Sequence, residues 1–84
     1  IAFFSASSVQ KNGEIYDCFE QENYLRKVMM SNSDVKIFLC DDNKIGHTSP
    51  FRLCSVKDVD YVISNYDLTS FLDKQFENKI IKVL

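Results

Sequence analysis

At 84 residues, with 45% hydrophobic and 13% aromatic side chains, the chain has the make-up of one folded domain or part of one, not of a disordered segment. Its 10 basic and 12 acidic residues are interspersed and sum to −2, which argues against a nucleic-acid-binding surface, where a basic stripe is the rule. No apolar run approaches a membrane span and no signal-peptide pattern is present. A chain of this size buries only about 60–65% of its unfolded surface, so a thin core is expected.

Ile1-Ala2-Phe3-Phe4 reads as a short buried strand. It begins without Met or a polar lead-in, so the chain is expected to be a piece of a longer protein. The small polar residues Ser5-Ala6-Ser7-Ser8 follow and can border a cleft. Gln10-Lys11-Asn12-Gly13 is a turn signal, and Ile15-Tyr16 a brief extended piece.

Asp17-x-x-Glu20 has capping-box spacing, which predicts a helix with Asp17 as N-cap and Glu20 at N3, running to about Met30 or Ser31. Leu25, Val28 and Met29, with Tyr24 beside them, form its predicted buried face, and Asn32 and Ser33 stop it. Val35-Lys36-Ile37-Phe38-Leu39-Cys40 reads as a second buried strand. A polar loop runs from Asp41 to Pro50, and Phe51-Arg52-Leu53-Cys54 suggests a short helical turn.

Val59-Asp60-Tyr61-Val62-Ile63 is the next predicted strand, ending in Ser64-Asn65. Asp67 or Thr69 can cap a helix whose buried face is Leu68, Phe71, Leu72 and Phe76. Ile80-Ile81-Lys82-Val83-Leu84 closes the chain as a strand. The expected class is therefore α/β, a β-α-β-α-β unit built on a parallel sheet. There is no internal repeat, low-complexity segment or linker.

If the strands are parallel, three polar strand ends converge at one edge: Ser5–Ser8, Asp41–Gly46 and Ser64-Asn65. That edge is where open α/β sheets bind ligands. Lys44 is either a solvated loop lysine or a point-charge contact to a phosphate or carboxylate. Asp41 and Asp42 can bond sugar hydroxyls or cap the turn, and capping is the expectation for Asp42. Gly46 either permits a positive φ or lets the backbone approach a ligand.

Glu22 lies about 20° from Met29 on a helical wheel, at the rim of the predicted apolar face and in the first helical turn. It can point into the cleft or pair with Arg26 one turn on. His47 reads as an ordinary loop histidine. The three cysteines, Cys18, Cys40 and Cys54, are widely spaced with no C-x-x-C, so they are read as reduced small hydrophobes rather than metal ligands. No glycine-rich phosphate loop and no catalytic-triad pattern is present.

One resemblance covers essentially the whole chain. Its order is Gly13; Glu22 with Leu25-Arg26-Lys27-Val28-Met29; Asp41-x-x-Lys44-x-Gly46; and Val59-Asp60-Tyr61-Val62-Ile63-Ser64-Asn65. This resembles the C-terminal half of the effector-sensing domain of DeoR-family bacterial transcriptional regulators. The resemblance implies a fold like ribose-5-phosphate isomerase and glucosamine-6-phosphate deaminase (NagB/RpiA/CoA transferase-like), with residues 1–84 as its C-terminal part. It implies a sensor that binds a phosphorylated sugar and thereby controls a separate N-terminal winged helix-turn-helix, mostly in repressors of sugar-catabolism operons. Glu22, Lys44, Asp41 and Gly46 would then be the ligand-binding residues. No cofactor, metal or membrane partner, a cytoplasmic location and self-association of the isolated piece complete the expectation.

The chain departs from that family pattern in places. Ser8-Val9-Gln10 stands where a Gly-Ile-Asp-type segment is usual, Ser64-Asn65 where Thr-Asp is frequent, and Ile45 where Phe is usual. An isomerase or deaminase of the same fold, with Glu22 as a proton-transfer base, is the alternative.

Overall fold

The computed structural model describes residues 1–45 and 48–83. The apolar runs read above become a four-stranded sheet: β1 (Ala2–Phe4), β4 (Lys36–Cys40), β6 (Tyr61–Ser64) and β7 (Ile80–Lys82), in the order β1-β4-β6-β7. Every pair in it is parallel, with Phe3 beside Ile37, Phe38 beside Val62 and Ile63 beside Ile81. The α/β class and the parallel sheet stand as expected. Period-2 alternation sends Phe4, Phe38, Cys40 and Val62 into the core, where the Phe4 and Phe38 rings lie 5.2 Å apart.

A second sheet was not legible. β2 (Ser8–Val9), β3 (Glu14–Asp17) and β5 (Phe51–Ser55) pair antiparallel in the order β2-β3-β5. The β2–β3 hairpin turns at Gly13, whose N–H donates to the Gln10 carbonyl at 2.9 Å. Gly13 has φ +89°, and a Cβ there would sit 2.6 Å from the Phe76 ring, so both backbone and packing demand glycine.

The segment expected to be a helical turn, Phe51–Cys54, is thus strand β5. Its partner explains why: β3 offers a ladder that pairs Ile15 with Cys54 and Tyr16 with Arg52, and Arg52 forms an ion pair with Glu14 across it. No local signal in four residues encodes a partner 38 positions away.

The helix α1 spans Glu20–Ser31 and ends at Asn32, as expected. Its start and its phase differ from expectation. Asp17 is not the N-cap; Phe19 occupies that position without a side-chain cap. Asp17 instead closes β3 at 3% exposure, where a carboxylate must find partners. Its Oδ1 accepts from Ser7 Oγ at 2.6 Å and from the Cys18 N–H at 2.8 Å, and Oδ2 pairs with Arg26.

The buried face of α1 follows Asn23 and Met30, with Arg26 half-buried between them, an i, i+3, i+7 row. Asn23 Nδ2 donates to the Phe51 carbonyl at 3.1 Å. Two polar partners, Asp17 and Phe51 O, therefore set the rotation of the helix. The predicted face of Leu25, Val28 and Met29 with Tyr24 is turned outward instead, with Leu25 66% and Tyr24 68% exposed.

The second predicted helix is replaced by two 3-10 turns, Leu68–Ser70 and Lys74–Lys79. Asp67 caps the first by accepting from the Thr69 N–H at 3.1 Å. Leu68, Leu72 and Phe76 are buried and Phe71 packs on the core, as read from the sequence. The helix is interrupted because the Asp73 N–H leaves it to bond the Lys11 carbonyl at 3.0 Å, docking the segment on the hairpin. Lys79 Nζ donates to the carbonyls of Val56, Lys57 and Val59 and fastens the end of the second turn.

Candidate functional site

The carboxyl ends of β1, β4 and β6 meet at one edge of the parallel sheet, as strand direction requires. A cavity of about 360 Å³ opens there. Its polar lining comes from the three ends anticipated above: Ser5 after β1, Asp41 and Lys44 after β4, and Ser64 and Asn65 where β6 finishes. Cys40 forms part of its lining, and Leu39, Ile63 and Val83 form an apolar wall.

Lys44 is placed by a single 3-10 turn, Asp42–Lys44. Asp41 caps that turn: Oδ1 accepts from the Asn43 N–H at 3.0 Å and the carbonyl accepts from the Lys44 N–H at 3.2 Å. The cap expected of Asp42 is thus made by Asp41, while Asp42 lies exposed in the turn. Lys44 is half-buried, and among the described residues no carboxylate forms an ion pair with it.

The loop is strapped from the other side as well. Ile45 makes a parallel bridge with Val9 of β2, and Ser8 Oγ donates to Ser49 Oγ at 3.1 Å. So the antiparallel sheet holds the loop whose lysine faces the parallel sheet's edge. Ser64 is occupied in building its turn, accepting from the Tyr66 N–H at 3.0 Å, which leaves Asn65 exposed at the cavity.

Burial pushes the Cys40 thiol up to about 11; Lys44 pulls it down, and Asp41 and Asp42 push it further up. It is therefore a neutral thiol at pH 7 and not a nucleophile. Burial likewise pushes Cys54 up to about 12. All three cysteines are free; Cys40 and Cys54 serve as small buried hydrophobes as expected, but Cys18 is exposed. Among the described residues no His, Cys, Asp or Glu group has the grouping to hold a metal ion. No helix among them is long and apolar enough to cross a membrane.

Of the residues singled out from the sequence, Asp41 and Lys44 share the cavity. Glu22 does not line it: it sits on α1, its side chain 57% exposed, 3.7 Å from Arg26 Nη2. Gly46 and His47 lie outside the described residues. The apolar wall was missed. Strand alternation held the signal, since Leu39 and Ile63 must face opposite to Phe38 and Val62.

The model of the DeoR C-terminal sensor domain matches residues 1–66. This chain belongs to that family. Within it, the chain is similar to the L-fucose operon activator of Haemophilus influenzae strain Rd, at 31% identity over 74 residues, covering 88% of this chain and 30% of that relative. The matched stretch of this chain spans about 30% of that relative's length. No solved structure matches the chain significantly. The family match takes in β1 through β6 and with them every polar group of the strand-end cavity. A DeoR sensor domain is part of a transcriptional regulator, so the cavity belongs to an effector-sensing module.

Proposed function

We propose that the strand-end cavity binds a phosphorylated sugar and that its occupancy controls DNA binding by a regulator of a carbohydrate-catabolism operon. The observation that carries this reading is Lys44: a half-buried ammonium, free of ion pairs among the described residues, held over the carboxyl ends of parallel strands beside Asp41 and Asn65. A cation with three donors suits a phosphate, and a neighbouring carboxylate and amide suit hydroxyl groups. The fucose-operon relative supports a carbohydrate signal and is named an activator, whereas repression is the commoner family pattern. The finer likeness to the ribose-5-phosphate isomerase fold belongs to the same proposal and is supported by the parallel order β1-β4-β6-β7. Gly46 is kept as a backbone contact, and Glu22 as a contact that would first have to leave Arg26.

The test is a thermal-shift titration of the intact regulator with a panel of sugar phosphates, followed by operator release or capture with the ligand that acts. Lys44→Ala should weaken the active ligand about tenfold or more, the loss expected for one charge-assisted contact. Glu22→Ala should weaken it less. Unaltered response in both variants would remove the site assignment. Turnover of any sugar phosphate by the protein would favour the isomerase or deaminase alternative; the proposal expects none.

A further inference from the structure

The apolar stripe of α1 does not face the core. The helix packs against β1 and β5, with Asn23 and Met30 buried on that side. At about 100° per residue, Gln21, Leu25, Val28 and Asn32 form a row diametrically opposite. All four are exposed, Leu25 at 66% and Val28 at 43%, and exposed Tyr24 and Met29 flank them. Single apolar side chains on a surface need no explanation, but a contiguous patch along one helix does.

Two observations give this row the character of a helix-pairing seam. Its residues are spaced four, three and four apart, the spacing that keeps side chains on one side of a helix facing a partner helix. And helices that cover a sheet form the outer layer of an α/β domain, so the row points away from the domain's own core. None of its four residues is charged.

We infer that this face of α1 seats a second copy of the same chain, as an antiparallel helix pair about a two-fold axis. The order of residues in the row names that occupant. Reversed on itself, the row sets Leu25 against Val28 of the second copy and Gln21 against Asn32 of the second copy, and the two-fold repeats both matches. Apolar thus meets apolar and amide meets amide. Asn32 Nδ2 donates to the Val28 carbonyl at 3.0 Å within its own helix, so its Oδ1 is the acceptor for the Gln21 amide of the other copy. Charge selects the antiparallel sense. The first turn of α1 carries Glu20 and Glu22 and the last turn carries no basic residue. A parallel pair would stack the acidic turns and align the helix dipoles, whereas the antiparallel pair holds them at opposite ends. The inference does not rest on the sugar-phosphate reading.

The experiment is oxidative cross-linking of the complete gene product that contains this chain, in a Cys18→Ser background because Cys18 is exposed. That background alone sets the blank. Gln21→Cys combined with Asn32→Cys is expected to give a reducible dimer at least about tenfold faster than either substitution alone. Within one helix the two positions lie about 17 Å apart, too far to join to each other. Adding Leu25→Glu is expected to slow the cross-link about fivefold or more, with helix content by circular dichroism unchanged. Cross-linking of the double variant no faster than of the single ones would overturn the inference, whether the face is bare or covered by another part of the polypeptide. So would rapid cross-linking of Gln21→Cys alone, the mark of a parallel pair, or an unchanged rate with Leu25→Glu. A protein that cross-linked as expected but bound no sugar phosphate would count only against the ligand reading.

Discussion

The two sheets of this molecule are built from the same composition but by different logic. The parallel sheet is made of contiguous apolar runs, and each strand's neighbour is the next such run in the chain. The antiparallel sheet is made of short, mixed segments: a local hairpin of Ser8–Val9 and Glu14–Asp17, whose second strand pairs with Phe51–Ser55 far along the chain. The first presents the polar strand ends that form the cavity. The second holds the loop that carries Lys44, through the Val9–Ile45 bridge and the Ser8–Ser49 hydrogen bond. The difference teaches that one sheet supplies the position of the site and the other its stiffness.

That division can be broken at its strongest point first. Phe38 is fully buried at the centre of the parallel sheet, so Phe38→Ala should cost about 3–5 kcal/mol in urea unfolding. Next comes the polar joint of the antiparallel sheet. Asp17→Ala removes the partner of Arg26, Ser7 and the Cys18 N–H, and should cost about 2–3 kcal/mol by the same measurement. An unchanged midpoint would mean that the joint does not fix α1.

Gly13→Ala forces an L side chain to φ +89° against the Phe76 ring and should cost about 2 kcal/mol. A crystal structure of the variant should show Phe76 displaced. Smaller still is the cysteine contrast. Alkylation at pH 7.5 should modify Cys18 while sparing Cys40 and Cys54, because burial raises both thiols to about 11 and about 12. Their protons are held more tightly folded than unfolded. The stability they contribute is therefore complete below about pH 9 and declines as pH rises toward 11 and 12. Melting temperatures across that range should fall, and should fall less in a Cys40→Ala, Cys54→Ala double variant.

The same contrast explains what was legible in the sequence. β1, β4, β6 and β7 were readable because β-branched and aromatic runs announce strands, and their polar ends then had to converge. Gly13 announced its turn. The helix α1 was found but rotated, since its phase is set by Asp17 and the Phe51 carbonyl rather than by its own apolar stripe. β5 was unreadable because its strand character comes from β3. The second helix was misread because Asp73 bonds Lys11 instead of continuing the turn. For the candidate site, Asp41 and Lys44 were anticipated and lie together. Asn65 was noted only as part of a strand end, and the Leu39–Ile63–Val83 wall not at all. Glu22 was placed at the rim by a helical phase that the fold does not adopt.

The central claim is that Lys44 is the anion contact of a sugar-phosphate sensor. Calorimetric titration of the intact regulator with its active sugar phosphate, wild type against Lys44→Met, tests it most directly. The account predicts affinity reduced about tenfold or more, with no change in melting temperature without ligand. Equal affinity in the two proteins would contradict it.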